Sequence, residues 1–312
     1  MRGRRMAFGI IALALAAGCG GGEERPASGK PLVVVSVPPQ AYFVGRIAGE
    51  AVEVEVLVQP GQDPHTFSPT AQQIVRLERA AVVFRIGMPF EKILIDRIAA
   101  AHPELRIVDA NRDLPPGEAL AEPAHGHAEQ HELEDERDGL DPHTWMSPPL
   151  AARQAAVIAE ALAELEPEHA ERFAQNLAML RADLEALDGQ IVAMLQPVQG
   201  GTFYVFHPAF GYFARAYGLR QEAVETGGKS PSARHLAELI EQARARGVRT
   251  IFVQRQFSDR AARTIAEQIG AEVVSLDDLS PDYLNNLLDV ARKIRAALEP
   301  AATAPGEEAG HG

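Results

Sequence analysis

From Pro31 onward, short apolar runs alternate with stretches of helical periodicity. Residues 32–37, 52–58, 81–86 and 106–108 are rich in Val and Ile and predict buried parallel strands. Between them, 42–48, 71–78 and 91–101 space their apolar positions as helices do. The second half repeats the alternation. Strands are expected at 202–206, 248–253 and 271–276, and helices at 209–217, 232–246, 259–269 and 282–298. Strands that alternate with helices imply an α/β fold with parallel sheets. Ser230-Pro231, Ser258-Asp259 and Ser280-Pro281 each offer a serine cap ahead of a residue suited to a first helical turn.

Two helices, 149–165 and 168–196, are expected between the halves. In the second, Phe173, Leu177, Leu180, Leu184, Leu187, Ile191 and Leu195 form one stripe at spacings of three and four. At 1.5 Å per residue such a helix runs roughly 43 Å, long enough to lie along the backs of two domains. A rigid connector of this kind predicts small rocking of the domains rather than wide closure. The expected organisation is a first lobe over 31–166, a linking helix over 167–197 and a second lobe over 198–300.

Composition narrows the class. The chain has 312 residues, 46% of them hydrophobic, enough for two domains with substantial cores. A formal charge of −13 argues against a nucleic-acid binder, which needs Lys and Arg to replace phosphate counterions. An acidic surface is compatible with cationic ligands. Arg2, Arg4 and Arg5 precede an apolar run over 6–17 and small residues ending at Cys19, the order of a secretory signal. Cys19 is the one cysteine, so an exported form has no internal disulfide. The phrase Ala16-Ala17-Gly18-Cys19 resembles a bacterial lipobox, in which the cysteine becomes the lipidated first residue. It departs by carrying Ala16 where Leu is more usual. The reading is a signal peptide over 1–18, a lipid anchor at Cys19 and a flexible tether over 19–30. The protein would then be held at the membrane outside the cytoplasm. Residues 115–140 lack apolar periodicity and contain His125, His127 and His131, with Arg137 as the one basic residue against eight Asp or Glu. They are expected to form a disordered acidic loop, and 301–312 a disordered tail.

Two copies of one phrase carry the candidate chemistry: Asp63-Pro64-His65-Thr66-Phe67-Ser68-Pro69 and Asp141-Pro142-His143-Thr144-Trp145-Met146-Ser147-Pro148. Asp-Pro favours a turn that would present the imidazole from a fixed element, and Ser-Pro then starts a helix. A third histidine, His207, follows the apolar run 202–206, at the strand end where open α/β sheets place ligands. Asp277 follows the run 271–276 in the same manner, with Asp278 beside it. Gln254 and Gln256 lie at another strand end, as candidate donors behind the ligands. Glu225, Gly227 and Gly228 read as turn residues, and His102, His169 and His235 as solvated surface histidines. Trp145 and the aromatics around His207 are expected to wall the cleft.

In this combination the chain resembles the metal-binding receptors of zinc and manganese ABC uptake systems, the ZnuA/TroA-like solute-binding proteins. The resemblance rests on the two DPH phrases, the segment FHPAFGYFARAYG, the long linking helix and the closing LDDLSPDYLNNL. It covers essentially the whole chain after the tether. It implies two Rossmann-like lobes with the metal between them, His65 and His143 from the first, His207 and Asp277 from the second. It also implies a monomeric receptor that serves a membrane permease and its ATPase. Zinc-type members often have Pro after the final Asp. Here that residue is Asp278, so Asp277, Asp278 or a water stands as the fourth ligand. Three imidazoles with one oxygen favour Zn2+, with Mn2+ or Fe2+ as the alternative cargo. His125, His127 and His131 would form an auxiliary metal loop. A zinc hydrolase is the competing class, yet no HExxH, GxSxG or Walker A phrase is present. An adhesin-like surface lipoprotein, with a role in cell adhesion, is the third reading. No enzyme activity is expected.

Overall fold

The computed structural model describes residues 29–115, 117–120, 140–225, 232–257 and 259–299. The expectations for the signal, Cys19, most of the tether, the tail and His125, His127 and His131 lie outside the described residues. Among the described residues, no helix is long and apolar enough to cross a membrane.

Two four-stranded parallel sheets share one topology. The first comprises β1 (Leu32–Val35), β2 (Glu53–Val56), β3 (Val82–Arg85) and β4 (Ile107–Asp109), in the order β2-β1-β3-β4. The second comprises β5 (Thr202–Val205), β6 (Arg220–Ala223), β7 (Thr250–Gln254) and β8 (Glu272–Leu276), in the order β6-β5-β7-β8. Seven strands fall where the apolar runs predict them, six of them shorter and β4 shifted by one residue. β6 was not anticipated. Its sequence Arg-Gln-Glu-Ala is polar because it sits at a sheet edge, pairing among the described residues only with β5.

Helices α1 (Pro38–Ala48), α2 (Ala71–Glu78) and α3 (Pro89–Ala101) pack around the first sheet, and α4 (Pro148–Leu165) follows. α1 starts four residues before its predicted bound because Pro38 and Pro39 occupy the first turn, where a missing N–H costs nothing. α2 opens with a capping box: Thr70 Oγ1 accepts from Gln73 N at 3.2 Å, and Gln73 Oε1 accepts from Thr70 N at 3.0 Å. The second sheet carries α6 (Gly211–Ala216), α7 (Ala233–Ala245), α8 (Arg260–Ile269) and α9 (Tyr283–Leu298). Ser232 caps α7 through His235 N, Asp259 precedes α8, and Asp282 precedes α9. Of the expected caps, Ser230 and Ser258 lie outside the described residues. Ser280 instead accepts from Asp282 N, in the turn before α9.

The linking helix is α5 (Ala170–Leu195), 26 residues or roughly 39 Å at 1.5 Å per residue. Phe173, Leu180, Leu184, Leu187, Ile191 and Leu195 of the predicted stripe are buried, and Leu177 packs at its margin. α5 packs against α1 and α4 on one lobe and α9 on the other. Consequently one hydrophobic core runs from the first sheet through α5 to Phe203, Val205 and Phe252 on the inner face of the second. The alternate residues Tyr204, Phe206, Ile251 and Val253 point to the opposite face and build a separate core with Leu239 of α7 and Ile265 of α8.

Candidate metal centre

The histidines that the sequence singles out come from three separate connections: after β2, before α4, and after β5. At the first, Asp63 Oδ1 accepts His65 N at 2.9 Å and its Oδ2 accepts the Thr66 hydroxyl at 2.9 Å. The turn thus holds itself, leaving the His65 ring half-buried. At the second, Asp141 Oδ1 accepts His143 N at 2.9 Å and also lies 2.7 Å from His143 Nδ1. The two phrases therefore share a turn but not a role. Asp63 holds His65 N and the Thr66 hydroxyl, whereas Asp141 also aims the ring. Asn111 steadies the same turn by accepting the Thr144 hydroxyl at 2.8 Å.

His207 is gripped from two sides. Gln254 Oε1 accepts His207 N at 3.2 Å while its Nε2 donates to His207 O at 2.7 Å. The ring's Nδ1 lies 2.5 Å from Glu225 Oε1, and the Phe257 ring packs 4.8 Å away, centroid to centroid. Glu225 was expected to be a turn residue. It is instead a buried carboxylate at the end of edge strand β6, and β6 is the strand whose polar sequence concealed it. Ionised carboxylates can only accept, so Asp141 and Glu225 place the proton of each neutral ring on Nδ1. That leaves both Nε2 atoms as electron-pair donors, and they face one another at 3.4 Å.

The potential ligand atoms of His65, His143 and His207 all lie within 4.8 Å of one another. A tetrahedral ion with Zn–N bonds of about 2.0–2.1 Å separates its nitrogens by roughly 3.3–3.4 Å, so the His143–His207 spacing is that of two ligands on one ion. The set fits a borderline transition cation, by donor type and by distance. Burial, aided by His143, lowers the His207 pKa well below 6.5, partly opposed by Asp141. The ring is therefore neutral, as a ligand must be.

Asp277 is not brought into this group. Its Oδ1 accepts Leu279 N at 2.9 Å and its carbonyl accepts the Asn286 amide, so the residue is committed to the turn before α9. Asp278 is the one that turns inward. It is 2% exposed, and burial raises its carboxyl to about 6, opposed chiefly by nearby His143. Gln256 donates to Asp278 Oδ1 at 2.9 Å, and the Trp145 indole donates to its carbonyl at 2.7 Å. Gln254 therefore bonds the backbone of His207, and Gln256 the carboxylate of Asp278. Trp145 is fully buried with its ring 5.2 Å from His143. His102 and His235 stay outside, beside surface carboxylates. His169 also stays outside, half-buried and grouped with half-buried Glu166 and exposed Glu168.

The model of the ZnuA family, the periplasmic component A of zinc-uptake complexes, matches residues 33–297. The chain belongs to this family. A crystal structure of a zinc-bound ZnuA lacking residues 138–173 of its own chain is 37% identical, with a TM-score of 0.78 over 88% of this chain and 100% of the other. The zinc-binding lipoprotein AdcA of Streptococcus pneumoniae is 29% identical over 266 residues, covering 83% of this chain and 51% of AdcA. The periplasmic zinc-binding protein TroA of Treponema pallidum, 22% identical with a TM-score of 0.76 over 87% of this chain and 100% of that one, shares the fold. The protein is a metal-binding solute receptor of an ABC uptake system, working outside the cytoplasm with a permease and its ATPase, and is not an enzyme.

Proposed function

We propose that the cargo is Zn2+, captured in the cleft through the imidazoles of His65, His143 and His207, with water in the fourth position. The observation that carries this reading is the pair of Nε2 atoms 3.4 Å apart, each on a ring whose Nδ1 is held by a buried carboxylate. Asp141, Glu225 and Asp278 supply buried negative charge around a dication, which offsets the cost of taking it out of water. Asp277 has no direct part. The zinc-bound ZnuA relative supports zinc. The Mn2+ complex of FpvC from Pseudomonas aeruginosa, 24% identical, supports only the fold.

The test is a calorimetric titration with Zn2+ and Mn2+ of the chain and of His65→Ala, His143→Ala and His207→Ala. One tight zinc equivalent, lost or strongly weakened in each variant, is expected. Tight Mn2+ binding with indifference to zinc would overturn the metal assignment.

The remaining expectations belong to the same reading. The lobes span 31–166 and 198–300 about the 167–197 link, the receptor is a monomer, and Cys19 carries a lipid anchor. Metabolic labelling with a fatty acid should mark the chain and not Cys19→Ala, and the variant should leave the membrane fraction. His125, His127 and His131 gather metal near the cleft. Replacing the three with Ala should therefore lower zinc stoichiometry, and unchanged stoichiometry together with unchanged uptake at low zinc would remove that role.

A further inference from the structure

The residue that aims His143 belongs to the first lobe, yet the second lobe holds it. Asp141 meets α6 of the second lobe at two places. A Cβ on Gly211 would stand 3.0 Å from Asp141 Oδ2 and 3.2 Å from Leu120 Cδ1, so glycine there makes room for the carboxylate. Next in sequence, Tyr212 is 1% exposed, and its hydroxyl donates to Asp141 O at 3.0 Å while accepting Leu120 N at 3.1 Å. Asp141 N in turn donates to Leu120 O at 2.8 Å. One turn further along α6, Arg215 donates to the carbonyls of Gly117 and Glu118. Three residues of one short helix are therefore spent on 117–120 and Asp141. Burial lifts the Tyr212 phenol to about 12, so it stays a proton donor across the physiological range.

We propose that Gly211 and Tyr212 are positioning residues for metal capture, holding Asp141 so that its carboxylate sets the tautomer and direction of the His143 ring. The proposal rests on the zinc reading above and adds a coupling to it. His207 and Tyr212 ride on the same lobe. Any movement that draws this lobe away removes the His207 ligand and slackens His143 together, so release to a permease needs no separate trigger for each ligand. Without that contact, His143 remains a histidine on a turn, but one whose ring Asp141 no longer orients from a fixed point.

A double-mutant cycle on the full chain tests this, using Tyr212→Phe, His143→Ala and the pair. Zinc affinity is read by chelator competition, and ligand geometry by the visible absorption of the Co2+ form. Tyr212→Phe should weaken zinc roughly tenfold, the lower end for groups behind metal ligands. It should also alter the Co2+ spectrum, and the loss should largely vanish once His143 is Ala. Gly211→Ala keeps the hydroxyl but crowds Asp141, so it should move both readouts the same way and carries the test should Tyr212→Phe not fold. An unchanged spectrum, or an equal loss with and without His143, means that the contact only glues the lobes and overturns the proposal. Equal zinc binding by the unmodified chain and His143→Ala would instead bring down the zinc site itself, and the proposal with it.

Discussion

At the residue scale, the centre contrasts two kinds of acidic group. Asp141 and Glu225 are spent on histidine rings, whereas Asp277 is spent on a turn. Asp278 is buried within the field of His143. Asp278→Asn should therefore weaken zinc by removing a nearby charge, while Asp277→Asn should leave affinity within about twofold. Calorimetry of both variants checks the ordering, and a larger loss in Asp277→Asn would restore it as the ligand. The pH dependence follows from His207. Its pKa is depressed, so its proton competes with metal only well below 6.5. The part of zinc affinity that His207 supplies should accordingly hold as pH falls through 6.5 and drop beneath it, which a competition titration between pH 8 and 5 would trace. An ordinary histidine would begin to lose metal near 6.5 itself.

At the scale of elements, the carboxylate of Glu91 in the first turn of α3 gathers the loop after β3. It accepts Gly87 N at 2.7 Å and Met88 N at 3.0 Å, as well as Ile86 N and the Ser36 hydroxyl. That loop sets Phe90 against Phe67, two residues after His65. Burial raises the Glu91 carboxyl to about 7 despite these donors. A raised acid favours the folded state when protonated. Its contribution is full below the unfolded value of about 4.5 and is lost as pH rises through about 7. His207 acts in the opposite sense, since the metal-free fold loses stability as pH falls below 6.5 and the unfolded histidine takes up a proton. Glu91→Gln should flatten the pH dependence of metal-free stability between about 4.5 and 7, as read by urea melts across that range. The helical stripe of α5 makes a plainer prediction. Leu187→Ala should cost ~2–5 kcal/mol in the same assay, because Leu187 is a buried part of the core that the two lobes share.

For the whole molecule, the shared core predicts how it melts and moves. Phe203, Phe252 and Leu287 of the second lobe lie in one cluster with Val33, Phe84 and Leu162 of the first. Tyr283 of α9 lies 5.0 Å from Phe43 of α1, ring to ring, and donates to Trp145 O at 2.5 Å. Unfolding should be a single transition, raised by about 2.7 kcal/mol when free zinc is a hundredfold above Kd. The radius of gyration from X-ray scattering should barely change on zinc addition, since α5 permits rocking and the core resists separation. Two calorimetric transitions would show that the lobes melt independently.

Much of this was legible in the chain itself. Val- and Ile-rich runs at strand length, alternating with helical stretches, fit parallel strands packed between helices, so seven of eight strands and the α/β class follow from local pattern. The stripe on α5 follows from helical spacing alone. His65 and His143 stand out because the same turn chemistry occurs twice, and His207 because it follows a strand. What sequence could not decide was which carboxylate faces which ring. Asp63 and Asp141 occupy the same phrase, yet only Asp141 reaches an imidazole. Asp277 and Asp278 are adjacent, yet only Asp278 turns inward. Glu225 sits beyond a polar edge strand that has no apolar run to announce it. Each of these depends on what another part of the chain brings into contact, at separations of 18 residues for His207 and Glu225 and 71 for Tyr212 and Asp141. Periodicity records which face of an element is buried; only packing records what lies on the other side.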